Sequence, residues 1–498
     1  MPLVDIDIAG VVSDSRRVQP GDLFVAFKGG SFDGHQFIPQ AIERGAVVVI
    51  GEESGIQSTV SYLQVENSRR ALAYLSAAFY GNPARQLTMI GVTGTDGKTT
   101  TTNLIFKILL AQGLKAGMIS TVNAVIGDQV LDTGFHVTTP DAPDIQRLLA
   151  LMVQKGLTHA VIETTSHGWA QYRVDACEFD IAVITNITHE HINDHGSFEN
   201  YKSAKARLFS SLHETVDKPQ VRQRLAILNR DDASYEYLLP LVSDIHVSYG
   251  FNQHADVRVA NVKHYQSGLT FLVQGPGFEF PVQSRLIGNF NVSNCLAAIS
   301  TTILGVGVDA QSVQEGISSL SAVPGRMERI DQGQDFIAIV DFAHTPNALR
   351  CALETARSLT AGRVISVFGS AGLRDKQKRY LMSETSIQLA DYTILTAEDP
   401  RIESLESILS EMAVGAESKG GIEGVNYWRV PDRGEAIQFA ITLAQPGDVV
   451  IACGKGHEQS MCFGNVEYPW DDRVAMRACL CAHLGIDGPS VPRLPTSK

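Results

Sequence analysis

The sequence predicts an α/β chain of three domains built on mostly parallel sheets. Two observations carry that expectation. Short apolar runs with the length of buried strands, such as "LTMIGV" (87–92), "AVIET" (160–164) and "FDIAVITNI" (179–187), alternate with stretches of helical period. The pattern is also interrupted twice, at the turn-rich "YGNPARQ" (80–86) and at "VPGRMER" (323–329), and restarts each time. The expected domains are residues 1–85, 86–323 and 324–498.

In order along the chain, the small first domain alternates "GDLFVAF", "GAVVVI" and "VSYLQV" with turns, an α/β pattern. The second opens on "LTMIGV" as a buried strand, then a glycine-rich loop. The helix "KTTTTNLIFKILLAQG" follows, in which Leu104, Ile105, Ile108 and Leu109 recur at helical spacing before Gly113 stops it. In the third, strands "FIAIVDF", "RVISVFG", "YTILTA" and "DVVIACG" alternate with helical segments such as "NALRCALETARSL".

The bulk properties exclude several classes. With 44% hydrophobic and 19% charged residues the 498-residue chain builds ordinary cores. A formal net charge of −13 argues against nucleic acid or an anionic membrane as partner. No apolar run approaches the roughly 18 residues of a membrane span, and "MPLVDIDIAG" lacks the pattern of a signal peptide. Seven cysteines without a C-x-x-C fit a reducing compartment, so a soluble cytoplasmic protein is expected; a monomer is the expected state.

The strongest motif is "GVTGTDGKTTTT" (91–102), set between a strand and a helix as a phosphate-binding loop requires. Backbone N–H groups from Gly94 to Lys98 are expected to face phosphate oxygens, aided by the helix dipole. Lys98 would reach the outer phosphates and Thr99 would offer its hydroxyl to Mg²⁺. The textual match is imperfect, because Val92 stands where the first glycine of the P-loop pattern belongs. A plain glycine-rich turn is the bland alternative. Ligands of parallel α/β sheets sit at the carboxyl ends of strands. There the central domain carries Glu163, which alone would read as a cap or surface acid, and the segment from Asn186 to His195. In the third domain the strand ends carry "DFAHTPN" (341–347), "GSAGLRDKQKR" (369–379), "AEDPR" (397–401) and "GKGHE" (454–458). Together they suggest a binding surface that faces the P-loop. The "THEHINDHG" stretch (188–196) is not a zincin site, since Asn193 occupies the position four after His189. A switch GTPase is disfavoured, because the D-x-x-G at Asp7–Gly10 precedes the P-loop.

These motifs, with "DSRRVQPGDLFVAFKG" (14–29), "TTP" (138–140), "ETTSHGWAQYRV" (163–174), "YKSAKARLF" (201–209), "GNFNVSN" (288–294) and "GRME" (325–328), run in order through nearly the whole chain. They resemble the Mur ligases, in particular the group of UDP-N-acetylmuramoyl-tripeptide synthetases. The resemblance implies a central P-loop ATPase domain, a Rossmann-like C-terminal domain, and ATP with Mg²⁺ as cofactors. The implied substrates are UDP-N-acetylmuramoyl-L-alanyl-D-glutamate and a free amino acid, joined through an acyl phosphate.

By the same resemblance Thr93, Gly94, Thr95, Asp96, Gly97, Lys98, Thr99, Asn289, Asp341 and His344 surround ATP. Thr99, Glu163, His191 and Lys205 (as a carbamate) serve Mg²⁺, with Arg326 as a further cation. Ser15, His35, Gln36 and Phe37 meet the uridine nucleotide; Thr138, Thr139, Thr165, Gln171 and Arg173 meet the muramoyl dipeptide. Arg374, Glu398, Asp399, Pro400, Arg401, Gly454 and Glu458 meet the incoming amino acid. Three departures from the family pattern are chemically mild: Asp96 for asparagine, "ETTSH" for "EVSSH" and "HEHIN" for "RDHLD". A fourth bears on specificity. Asp399 replaces a neutral amide beside Arg401, and is expected to pair with Arg401 or favour a substrate ending in an ammonium. The third amino acid is therefore expected to be dibasic, with lysine or ornithine favoured over diaminopimelate. A folylpolyglutamate-type ligase and a non-catalytic nucleotide-binding protein are the alternatives.

Overall fold

The computed structural model describes residues 6–29, 32–131, 139–188, 195–242, 244–265 and 267–497. Among them the first sheet has four parallel strands in chain order, Gly10–Val12, Asp22–Val25, Val48–Gly51 and Ser61–Gln64. The helix Ser68–Phe79, capped by the Asn67 side chain on the Arg70 N–H, buries Leu72 against Val11, Leu23, Val25, Val48 and Ile50.

The central sheet is built around the strand Thr88–Thr93. His159–Glu163 and then Ala116–Ile119 lie on one side of it; Ile181–Ile184, Leu225–Asn229 and His246–Gly250 lie on the other, all parallel. Their residues are apolar without alternation because helices cover both faces. Lys98–Ala111, Asn289–Ile299 and Ala310–Ser319 pack on one face; Ala142–Gln154 and Phe198–Ser210 pack on the other. Antiparallel Ala124–Ile126 and Gln129–Leu131 extend one edge; on the other, Val257–Tyr265 adds in parallel to His246–Gly250 and is followed by antiparallel Gly268–Gly275 and Phe278–Ser284.

Leu104, Ile105, Ile108 and Leu109, the stripe read from the sequence, are all fully buried. Each contributes about 1.5–3 kcal/mol relative to exposure. The neighbouring helix approaches this stripe so closely that a Cβ on Gly316 would lie 2.5 Å from Ile108 Cα. A side chain there would force the P-loop helix away from its sheet.

The third sheet pairs Ile337–Asp341, Val449–Cys453, Val364–Phe368, Tyr392–Leu395 and Tyr427–Arg429 in parallel, with Glu328–Arg329 antiparallel at the edge. Chain order and spatial order diverge at Val449–Cys453, the kind of switch point where α/β sheets open a crevice. No described helix is long and apolar enough to cross a membrane.

Candidate active site

The P-loop joins Thr88–Thr93 to the helix Lys98–Ala111, and two of its glycines are sterically required. Gly94 has φ +149° and a Cβ there would lie 1.8 Å from Thr185 Oγ1; Gly97 has φ +84° and its Cβ would lie 2.4 Å from Asn294 Oδ1. The loop is tied to the adjacent strand end. The Thr95 N–H donates to Asn186 O at 2.8 Å and the Asp96 N–H to Asn186 Oδ1 at 2.9 Å, while Thr185 Oγ1 and Asn186 Nδ2 donate to Asp96 O at 2.6 and 3.1 Å. Two of the five amides expected to face phosphate are thus engaged within the protein. The helix start at Gly97–Thr99 remains as the anion-binding end. Lys98 Nζ donates to Thr95 O at 2.9 Å.

Glu163 ends the neighbouring strand and is 1% exposed. Its Oε1 accepts from Thr99 Oγ1 at 3.1 Å and its Oε2 from the Thr121 N–H at 3.1 Å. From the third domain, Arg326 Nη2 lies 3.3 Å from the same Thr99 hydroxyl, its guanidinium 4.3 Å from the Phe342 ring centroid. The Thr99 and Glu163 oxygens are the hard donors that Mg²⁺ takes, and the guanidinium beside them shows that this corner receives positive charge. The residues present fit the ion.

Lys205 lies on Phe198–Ser210 but is 2% exposed, unlike an ordinary helical lysine. Its Nζ donates to Gly94 O at 2.6 Å and sits 4.6 Å from the Tyr201 ring centroid; the Tyr201 hydroxyl is 2.9 Å from Thr95 Oγ1. Lysine and tyrosine thus reach the P-loop from one helix turn.

Asp341 Oδ2 accepts from the Met327 N–H at 2.7 Å and Oδ1 from the Ala343 N–H at 2.8 Å, which fixes the turn presenting Arg326. Burial pushes the Asp341 carboxyl up from its ordinary range, opposed by the Arg326 charge. His344 sits in the same loop with Nδ1 2.9 Å from Phe342 O. A second contact between the domains runs from Asn347 Nδ2 to Asp96 Oδ2 at 3.3 Å. Asn289 is exposed at the start of its helix. Two asparagines of the same "GNFNVSN" motif, not singled out from the sequence, lie closer to the loop. Thr101 Oγ1 donates to Asn294 Oδ1 at 3.3 Å, and Asn294 Nδ2 to Asn291 Oδ1 at 2.9 Å.

Beside Glu163, Thr139 Oγ1 is 3.1 Å from Thr165 Oγ1, and Arg173 donates to Thr139 O at 2.7 Å and to Gln171 Oε1 at 3.1 and 2.8 Å. These four expected dipeptide residues therefore form one cluster. Thr138 and His191 lie outside the described residues. In the first domain Ser15 Oγ donates to Gln40 Oε1 at 2.8 Å. Both ring nitrogens of His35 are used internally: Nδ1 is 2.7 Å from Asp33 Oδ1, and Nε2 accepts the Glu52 N–H at 2.9 Å. Gln36 and Phe37 are exposed.

At the third-domain strand ends, the placement of Asp399 differs from the expected one. Its oxygens are 3.1 and 2.9 Å from Nζ of the fully buried Lys455, and Oδ1 also accepts the Cys462 N–H at 2.8 Å. Lys455 is shared with Glu458 Oε2 at 2.5 Å. Asp399 thus pairs with Lys455 rather than Arg401, because a buried ammonium draws the nearest carboxylates to itself. Asp399 and Arg401 both hold left-handed backbone, with φ +39° and +55°, flanking Pro400. Glu398 is 6% exposed, its Oε2 has no hydrogen-bond partner among the described residues, and burial raises its carboxyl above the ordinary range. A Cβ on Gly454 would lie 2.2 Å from that oxygen, so the two loops nearly touch. Arg374 occupies the loop after Val364–Phe368, on the same end of the sheet.

Known families match along the same frame. "Mur ligase family, catalytic domain" matches residues 7–80, "Mur ligase middle domain" 92–302, and "Mur ligase, glutamate ligase domain" 325–456. A UDP-N-acetylmuramyl-tripeptide synthetase of Roseiflexus sp. (strain RS-1) is 44% identical over 496 residues, covering 98% of this chain and 97% of that one. A UDP-N-acetylmuramoyl-L-alanyl-D-glutamate–2,6-diaminopimelate ligase of Geobacillus thermodenitrificans (strain NG80-2) is 39% identical over 474 residues, covering 95% of each. A solved structure of a ligase of that same name is similar at TM-score 0.65 and 31% identity, covering 97% of this chain and 98% of that one. With a P-loop, an acidic strand end and an arginine from the third domain meeting at Thr99, and relatives alike over their full length, the chain belongs to the Mur ligase family.

Proposed function

We propose that this chain is an ATP-dependent ligase that adds a dibasic third amino acid to UDP-N-acetylmuramoyl-L-alanyl-D-glutamate in peptidoglycan synthesis. The observation that carries the reading is the convergence at Thr99 and Gly94. Glu163 of the central domain and Arg326 of the third both reach the Thr99 hydroxyl, and Lys205 reaches the Gly94 carbonyl from another element of the central domain.

Residues 1–85 take the uridine end of the substrate, 86–323 take ATP, and 324–498 take the amino acid. The helix start at Gly97–Thr99 and Lys98 bind the phosphates. The cluster of Thr139, Thr165, Gln171 and Arg173 holds the dipeptide so that one of its two free D-glutamyl carboxylates approaches the γ-phosphate. That carboxylate attacks phosphorus and ADP leaves, which gives an acyl phosphate. The substrate amine then attacks the acyl carbon and inorganic phosphate departs. Several anions must meet at one point, so Lys98 and Arg326 offset their repulsion. Thr99 and Glu163 would hold Mg²⁺, which supplies further neutralisation of the phosphates, with His191 and a carbamylated Lys205 serving a second ion.

For the third amino acid, Asp399 no longer favours an ammonium, since Lys455 neutralises it. Glu398 supplies the carboxylate for a substrate ammonium, and Arg374 and Arg401 supply cations for a substrate carboxylate. Lysine, ornithine and meso-diaminopimelate all satisfy this set. The Geobacillus relative is named for the last of them, whereas the Roseiflexus relative is named for no amino acid. The matched first domain disfavours a folate-type ligase, which begins at the ATPase domain. We assign the enzyme to the cytoplasm, as a monomer.

The test is phosphate release from ATP with UDP-N-acetylmuramoyl-L-alanyl-D-glutamate and each of the three amino acids in turn. Stimulation by at least one is expected. Nucleotide binding without stimulation by any of them would leave a non-catalytic protein as the better reading.

A further inference from the structure

Arg433 begins the helix Arg433–Leu443 and its side chain is fully buried beneath the amino-acid loops. Nε and Nη2 donate to Asp472 Oδ1 and Oδ2 at 2.7 and 2.6 Å. The guanidinium also donates to two backbone carbonyls, Nη1 to Ala397 O at 3.1 Å and Nη2 to Cys453 O at 2.8 Å. Asp472 is itself held by the buried Trp470, whose Nε1 donates to Oδ1 at 2.8 Å.

The two carbonyls belong to the residues immediately before Glu398 and Gly454. Ala397 lies two residues beyond the strand Tyr392–Leu395 and Cys453 ends Val449–Cys453; these strands are not neighbours, since Val364–Phe368 runs between them. No ladder hydrogen bond therefore sets the gap between these loops directly. The gap is tight, since Glu398 Oε2 already excludes a side chain at Gly454. A buried ion pair gains little over an apolar core of the same shape, so stability alone does not account for an arginine here. What arginine offers is a planar fork whose donors leave in fixed directions.

We propose that Arg433 is a positioning residue that sets the distance between the Glu398 carboxylate and the Gly454 backbone, and so the width of the pocket for the incoming amino acid. The proposal rests on the assignment of that pocket under the proposed function.

The test uses the full-length enzyme and steady-state phosphate release, with each of the three substrates varied separately. Arg433→Lys keeps a positive charge against Asp472 but has no fork to span both carbonyls. It should raise the amino-acid KM at least about tenfold and leave the KM for ATP and for the UDP-muramoyl substrate within about twofold. Asp472→Asn weakens the ion pair and leaves both carbonyl bonds. It should lower the melting temperature and move the amino-acid KM less than about twofold. A wild-type amino-acid KM in Arg433→Lys overturns the proposal, as does an equal rise in both variants, which would mark a merely structural role. Should Arg433→Lys not fold, a tenfold rise in Asp472→Asn alone would also overturn it. Glu398→Gln separates the two levels. If it raises the amino-acid KM while Arg433→Lys does not, the pocket stands and the positioning role falls. If Glu398→Gln changes nothing, the pocket assignment falls and takes the proposal with it.

Discussion

At the nucleotide end of the cleft, the buried Glu163 carboxylate accepts from two neutral donors, the Thr99 hydroxyl and the Thr121 amide. At the amino-acid end, charges hold one another. Lys455 lies between Asp399 and Glu458, and Arg433 forks onto Asp472. A charge satisfied by dipoles keeps most of its field and can still attract an ion or a phosphate. A charge satisfied by its opposite is largely cancelled and serves as frame. The first arrangement suits a site where ligand charge is to be gathered. The second suits a pocket that must keep its shape, where Glu398 retains a carboxylate oxygen without a hydrogen-bond partner among the described residues.

This contrast can be broken at either end. The largest effect is expected from Glu163→Gln, which removes the carboxylate beside Thr99. Ligase kcat should fall by about 10²–10³, the usual loss for an electrostatic group acting on developing charge, with little change in melting temperature. A wild-type rate would remove Glu163 from the chemistry.

Lys205→Ala should lose activity by on the order of 10² and regain part of it with a small carboxylate such as acetate, if the lysine acts as a carbamate. An undiminished rate would rule that role out. The unmodified ammonium as the acting form would show as a loss that no carboxylate rescues.

Asp399→Asn probes the frame. It leaves Lys455 with fewer anionic partners and should cost about 1–3 kcal/mol in denaturant unfolding. The rank order of lysine, ornithine and diaminopimelate should stay as in the parent enzyme. An inverted order would place the Asp399 carboxylate on the substrate and dissolve the contrast.

The smallest effect concerns pH. His457 is buried in the amino-acid half, and burial lowers its pKa from 6.5 to about 3, so it stays neutral in the fold. A group with a depressed folded pKa contributes stability above its unfolded pKa, and that contribution is lost as pH falls toward the folded value. The window is therefore pH 6.5 down to about 3. His457→Gln should flatten the acid limb by about 1–2 kcal/mol at pH 5, read from urea midpoints. An unchanged slope would show that His457 does not titrate in that range.

Much of the nucleotide half was legible in the sequence because its determinants are local. The strand, loop and helix around Gly94–Thr99 are contiguous, and Glu163 is marked by ending the next apolar run. Only the family resemblance singles out Lys205, as a carbamate at Mg²⁺; its burial is not legible, since nothing in its own helix distinguishes it from a surface lysine. The amino-acid half was read less well for a physical reason. Asp399 was weighed against Arg401, its neighbour in the loop, whereas its counter-ion lies 56 residues away. The carbonyls gripped by Arg433 lie 36 and 20 residues from it. The internal partners of His35 are only partly local, because the N–H that occupies Nε2 belongs to Glu52. Periodicity finds strands and helices, but the pairing of charges across strand ends depends on the order of strands in the sheet.

The most direct test of the central claim follows an oxygen atom. The dipeptide substrate is prepared with heavy oxygen in both free D-glutamyl carboxylates, and the inorganic phosphate released during turnover is analysed by mass. Attack of one of these carboxylates on the γ-phosphate predicts one labelled oxygen in each phosphate released with tripeptide. Tripeptide formed with unlabelled phosphate would contradict the acyl-phosphate ligase assigned to this cleft.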